Sequence, residues 1–276
     1  MADNLWYFKD NWLDVELERF DTAQPLMQSL VWWSIDVWWY TALPITYNSI
    51  LRSKTELMFA TTMLEDQNHR ISYLIVPKDA DTNFSIADLK WKKVGILPTI
   101  AYKAWMEEIL KNNNISLDDV ELVQIAPALS PSALESGQVD ALFTNDPAAT
   151  TVLEKWIWRL LDNSIVEVPK YLWEPFLFWS FNITKEFADN NPVIVDGIKQ
   201  SLNQAIDYIT ENQNEAKIIM ADYLHESQKP FVEKYPNVSY QKTTETSDSA
   251  FQEVADKYLE IGIINEELNI DNLNIQ

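Results

Sequence analysis

The sequence predicts an α/β protein of two lobes, and three observations carry that expectation. A strand–turn–helix–strand pattern occurs twice, strands and helices alternate along most of the chain, and 47% of the 276 residues are hydrophobic, enough to build sizeable cores. The first copy runs from Val15-Glu16-Leu17-Glu18-Arg19-Phe20 through Ala23-Gln24-Pro25 to Leu30 and Ser34-Ile35-Asp36-Val37. The second runs from Val120-Glu121-Leu122-Val123-Gln124-Ile125 through Ala126-Pro127-Ala128 to Leu134 and Gln138-Val139-Asp140-Ala141. A polar or aromatic loop closed by Pro follows each copy, Trp38–Pro44 and Leu142–Pro147. Two copies of one supersecondary unit predict two similar lobes facing each other.

Taken in order, the chain opens on the tail of a helix and a strand over Asp14–Phe20, then a helix capped by Asp21-Thr22. Ile35–Val37 reads as a strand, Ala42–Leu51 as a helix and Leu57–Met63 as a strand. The polar loop Glu65–Arg70 precedes Ile71–Val76, a continuous apolar strand that Pro77 stops. A short helix at Ser85–Leu89, a strand at Lys93–Leu97 and a helix at Ile100–Lys111 lead into the second copy. Beyond it the pattern predicts a helix from Ala148 to Leu161 and strands at Val166–Val168 and Leu177–Ile183. Pro192 sits in the first turn of a long helix with Ile194, Ile198, Leu202, Ala205, Ile206 and Ile209 at helical spacing. Helices at Glu215–Leu224, Ser227–Tyr235 and Ser249–Ile261 make the last third almost wholly helical. Such alternation predicts a mainly parallel sheet in each lobe, with ligands beyond the carboxyl ends of the strands.

Composition removes several function classes. A net charge of −21 disfavours nucleic acid and anionic membrane surfaces as partners. The chain has no cysteine, which excludes thiolate catalysis, disulfides and cysteine-ligated zinc, and two histidines cannot build a multi-histidine metal centre. No cofactor and no metal are expected. There is no phosphate loop, dinucleotide fingerprint or nucleophile elbow. No apolar run approaches a membrane span, and no signal-peptide pattern is present.

The glycine count is unusual: four glycines stand against twelve tryptophans. Several tryptophans fall where turn chemistry expects glycine, including Trp12 after Asp10-Asn11, Trp91 between Lys90 and Lys92, and Trp156 and Trp158 near a helix end. A bulky side chain is strained at positive φ where glycine is not. Either these tryptophans line an aromatic binding surface, or they stand at positions that belong to glycine.

Four stretches carry a family resemblance. Tyr7-Phe8-Lys9-Asp10-Asn11-Trp12-Leu13-Asp14-Val15-Glu16 resembles G-(Y/F)-F-x-x-x-G-L-D-V-E, and Ser34-Ile35-Asp36-Val37-Trp38 resembles G-x-I-D-V-G. Ile86-Ala87-Asp88-Leu89-Lys90-Trp91-Lys92-Lys93-Val94-Gly95 is similar to I-x-D-L-K-G-K-K-V-G, and Leu134–Ala141 to L-x-x-G-x-V-D-A. These patterns resemble the solute-binding proteins of ABC importers, in the branch serving nitrate, sulfonates, taurine and thiamine-pyrimidine precursors. The resemblance implies a two-lobed periplasmic-binding-protein type 2 fold with two crossing hinge strands, closing on a ligand. The crossings are expected near Val76–Lys78 and Phe181–Ile183, so that residues 78–181 form one lobe and 1–77 with 182–276 the other. It further implies an extracytoplasmic monomer that passes a small molecule to importer membrane subunits. From the resemblance, the family's first strand and leader are expected to have no counterpart in the residues before Tyr7.

With that fold, three loops line the expected ligand site. Trp39, Tyr40 and Thr41 follow one strand, Thr144, Asn145 and Asp146 the equivalent strand, and Thr99 and Tyr102 sit at a helix N-terminus that either accepts an anionic or polar ligand group or is simply capped. Gln67, Asn68 and His69 form a polar cluster before a crossing strand. Asp36 and Asp140 read as turn residues rather than an acid–base pair, and His225 as a structural residue at a helix end. Trp173-Glu174-Pro175 reads as a surface turn. Asp146, and the absence of a basic cluster in these loops, favour a neutral or weakly cationic heterocycle such as a pyrimidine precursor over nitrate or sulfonate. The same fold also resembles pyrimidine-precursor synthases, whose cysteine cluster this chain cannot supply, and small lyases of quinone biosynthesis. An effector-sensing module of a transcription regulator is a further alternative, without a DNA-binding segment here.

Overall fold

Alternating and continuous apolar runs build two β-sheets, which belong to different structural units. The computed structural model describes residues 1–18, 37–271 and the single residues Phe20, Leu26, Ser29, Ile35 and Leu273. Unit 1 comprises Met1–Leu64, Leu177–Met220 and Ser239–Gln276; unit 2 comprises Glu65–Phe176 and Ala221–Val238. The helix expected after Asp21-Thr22, and Asp36, lie outside the described residues.

In unit 1, β1 (Val37–Ala42), β2 (Leu57–Glu65), β8 (Phe176–Thr184) and β9 (Ser239–Gln241) form a sheet of order β1-β8-β2-β9. β1 runs antiparallel to β8, and β2 antiparallel to β9. Side chains alternate between faces along a strand, and β2 is buried on both. Phe59 stacks on Phe251 and meets Tyr47 edge-on, while the next residue, Ala60, joins a cluster with Phe8, Phe181, Ile183, Ile198 and Leu202. The long helix Pro192–Glu211 supplies that cluster from residues three and four apart, as its sequence spacing predicts.

In unit 2, β3 (Ser72–Pro77), β4 (Lys93–Ile96), β5 (Glu121–Gln124), β6 (Ala141–Asn145) and β7 (Trp158–Leu160) form a sheet of order β5-β4-β6-β3-β7. The helix Ile100–Asn112 carries the chain from β4 to β5, and a crossover of that kind returns the next strand parallel. β3 is antiparallel to both its neighbours.

Several expectations need correction. Neither sheet is mainly parallel: that of unit 2 is mixed, and in unit 1 β1 with β8 and β2 with β9 pair antiparallel. Trp38–Ala42 and Leu142–Asn145 are strands, not loops after strands: both are β-branched or aromatic runs, and each finds a partner strand, β8 for the first and β3 for the second. The helix from Ala148 stops at Leu153, and Trp158–Leu160 pairs with β3. Val166–Val168 is not a strand; Glu167–Tyr171 is helical. The last third contains β9, and Asp14–Glu18 forms no strand. The chain passes between units four times, at Leu64–Glu65, Phe176–Leu177, Met220–Ala221 and Val238–Ser239. It does not do so at Val76–Lys78 or Phe181–Ile183, because β3 is hydrogen-bonded on both sides within unit 2 and β8 lies between β1 and β2 in unit 1.

Candidate functional site

An assembly of buried polar side chains lies in unit 2, around the two ends of the Glu65–Arg70 connection. Glu65 ends an apolar run and is fully buried. Its Oε1 accepts the amides of Ile71 (2.7 Å) and Ser72 (2.5 Å), and the Ser72 hydroxyl lies 2.9 Å from Oε2. Burial raises this carboxyl from 4.5 to about 7 against the opposing effect of those bonds. A protonated Glu65 suits the geometry: its carbonyl takes both amides while its hydroxyl meets Ser72.

Arg70, at the other end of the connection, reaches Glu167 Oε2 at 3.3 Å and donates to the carbonyls of Ile165 and Asp162. Its guanidinium is 5.8 Å from the centre of the Tyr73 ring. Glu167 is fully buried, and burial pushes it up to about 8 despite Arg70. Its second oxygen, Oε1, has no hydrogen-bond partner among the described residues. Arg70 is therefore committed to holding a buried acid and to tying residues 162–167 to its own connection.

The expected site residues separate into distinct roles. Asp146 stands just past the carboxyl end of β6, where the Tyr73 hydroxyl donates to Oδ2 at 2.5 Å and the Thr150 amide to Oδ1 at 2.9 Å. Burial raises its carboxyl above the ordinary range. Thr144 is fully buried opposite Tyr73 in the β3–β6 ladder, and its hydroxyl has no hydrogen-bond partner among the described residues. Asn145 is partly exposed opposite Ser72. Tyr102 is buried with its ring 5.1 Å from Phe143 and 5.2 Å from Trp105; burial raises its hydroxyl, with Glu65 and Asp146 adding to the effect. These residues form one neighbourhood of two acids, two phenols and an aromatic wall.

Other expected residues serve the backbone. Thr99 caps the helix Ile100–Asn112 by accepting the Tyr102 amide at 3.3 Å. Gln67 clasps Val166 through both amide and carbonyl groups of its side chain, at 3.2 and 2.8 Å. Asn68 and His69 are held by Asp66, whose Oδ1 accepts both backbone amides and lies 3.0 Å from His69 Nδ1. Asp140 accepts the Lys93 amide at 2.8 Å, the turn role expected of it. In unit 1, Trp39 and Tyr40 belong to β1. Thr41 is buried, 2.8 Å from the Thr46 hydroxyl and 3.5 Å from the Asn182 amide.

Sequence reading missed Glu65, Arg70, Tyr73 and Glu167. A weak signal existed for the first: an acid directly following the apolar run Leu57–Leu64 is exposed to burial with it. Among the described residues no group of acids and histidines is placed to hold a metal, and no helix is long and apolar enough to cross a membrane.

Comparison with known proteins adds to this geometry. The model of the NMT1-like family matches residues 1–223. No curated protein matches the chain. Among solved structures, the alkanesulfonate-binding protein SsuA from Xanthomonas axonopodis pv. citri superposes with a TM-score of 0.74 at 18% identity, over 99% of this chain and 92% of that one. The periplasmic aliphatic sulphonate-binding protein SsuA from Escherichia coli gives 0.74 at 15%, over 100% and 93%. The periplasmic nitrate-binding protein NrtA from Synechocystis PCC 6803 gives 0.71 at 12%, over 98% and 79%. The α/β fold is that of periplasmic binding proteins.

Proposed function

This chain belongs to the NMT1-like family, and from that premise we propose that it is an extracytoplasmic solute-binding protein. It captures a small molecule, as a monomer, and presents the liganded form to the membrane subunits of an ABC importer. The observation that carries the reading is the fold match along essentially the whole chain to proteins named for the solutes they bind. Ligand binding favours one conformational state over another, without covalent chemistry. We place the hinge in β2 and β8, the strands that carry two of the four passages between units, at 64/65 and 176/177.

For ligand class we propose a neutral or weakly cationic heterocycle, with a pyrimidine precursor of thiamine as the leading case. Asp146 supports this: a carboxyl held by Tyr73 and Thr150, beside the Tyr102 and Phe143 rings, suits ring nitrogens and amino groups. Arg70 also favours it, since its guanidinium is already engaged by Glu167 and two carbonyls rather than free for an anion.

The test is a thermal-shift screen of sulfonates, nitrate, bicarbonate and aminopyrimidines, followed by chemical recovery of whatever binds. Recovery of unchanged aminopyrimidine supports both parts of the reading. Unchanged sulfonate or nitrate keeps the receptor and overturns the ligand class; conversion to product overturns the receptor in favour of an enzyme.

A further inference from the structure

Among the described residues six other than glycine have positive φ, and four of them are tryptophan: Trp6 (66°), Trp12 (61°), Trp91 (63°) and Trp156 (63°). All four are exposed, by 61, 95, 79 and 69%. In this conformation Cβ crowds the following carbonyl, a position that glycine fills freely and Asn tolerates. Trp gains nothing from the backbone there, and its indole is in solvent. Lys9 and Lys78 lie 4.2 and 5.5 Å from the Trp6 and Trp156 rings, exposed contacts of small effect.

The turns themselves are glycine turns. At Trp12 the Leu13 amide bonds the Phe8 carbonyl and the Trp12 amide bonds that of Lys9, the paired closure that ends a helix with a left-handed residue. Gly137 and Gly262 make the same two bonds, Gln138 to Ala133 with Gly137 to Leu134, and Ile263 to Tyr258 with Gly262 to Leu259. At Trp91 the Lys92 amide bonds the Leu89 carbonyl, and Lys90 has φ −55° and ψ 133°. That is a type II turn, whose third residue requires positive φ and is normally glycine. Positions 12 and 91 are also the glycines of the two family patterns that the surrounding residues resemble. By contrast Trp105 is fully buried, against Tyr102 at 5.2 Å and edge-on to Phe176 at 5.4 Å.

We propose that positions 6, 12, 91 and 156 are glycine in the protein the source cell makes, through a codon read here as tryptophan and translated there as glycine. Trp105 stays tryptophan, because its site is built around an indole. The reading is independent of the proposed function. It concerns what occupies four turns, and a failure to bind any solute leaves it standing.

Two measurements test it. Peptide mass spectrometry of the protein isolated from its source cell is expected to show, at each of the four positions, a residue lighter by the exchange of indolylmethyl for hydrogen, and intact tryptophan at position 105. Tryptophan at positions 12 and 91 overturns the proposal. Separately, the chain as written is compared with the quadruple variant Trp6→Gly, Trp12→Gly, Trp91→Gly, Trp156→Gly. The quadruple variant is expected to melt several degrees higher, and Trp105→Gly well below the parent. A quadruple variant that melts at or below the parent contradicts glycine turns at these sites.

Discussion

Replacing Glu65 by glutamine isolates the electrostatic cost of one fully buried acid in unit 2. The acid's proton affinity is raised by burial from 4.5 to about 7, so the folded protein binds this proton more tightly than the unfolded chain does. Its stabilising effect is complete below pH 4.5 and is lost as pH rises through about 7. At about 1.4 kcal/mol per tenfold, the difference between those two values is worth roughly 3 kcal/mol. Glutamine keeps the connection: its Oε1 can accept the Ile71 and Ser72 amides, and its amide can donate to the Ser72 hydroxyl. Urea unfolding of both proteins between pH 4 and pH 9 provides the assay. The Glu65→Gln protein is expected to be near parity at the acid end and more stable by about 2–3 kcal/mol at the alkaline end. A stability difference that does not change with pH would refute a buried, proton-holding Glu65.

Further outcomes follow from the same neighbourhood. Arg70→Met removes the cation beside Glu167 and is expected to cost about 3 kcal/mol at pH 9, above the value of about 8 at which Glu167 loses its proton, and less at pH 7, with much of the alkaline loss restored by adding Glu167→Gln, measured by urea unfolding. Tyr73→Phe removes the donor to Asp146 and is expected to cost about 1–2 kcal/mol, read the same way, and to weaken the ligand found by screening. Thr99→Ala removes only a helix cap: about 1 kcal/mol of stability, with ligand affinity unchanged by calorimetry.

The sequence was informative wherever a signal is local. The helix opened by Pro192, the strand ended by Pro77 and the Thr99 cap follow from residues within a few positions of each other. Trp38–Ala42 was harder, because a run of aromatics before Pro44 reads as a loop until β8 supplies its hydrogen-bond partners. Arg70 and Glu167 are 97 residues apart, and no periodicity joins them. The strand order was equally hidden, since antiparallel pairing of β3 with β6 and β7 depends on which edges meet rather than on any single segment. Of the expected site residues, Asp146, Thr144 and Tyr102 gather in one neighbourhood with Tyr73. Asn68 and His69 have the local partner Asp66, which the sequence shows only as a polar turn, whereas the partner of Gln67 is Val166, 99 residues away and invisible to local reading.

The central claim, reversible capture of a small heterocycle near Asp146, is tested most directly by isothermal titration with an aminopyrimidine. Parent protein and Asp146→Asn are titrated side by side, then with an alkanesulfonate. The account predicts saturable binding of the aminopyrimidine to the parent, at least a tenfold loss in Asp146→Asn, and its recovery unchanged. Tight alkanesulfonate binding that Asp146→Asn leaves intact or improves would contradict it.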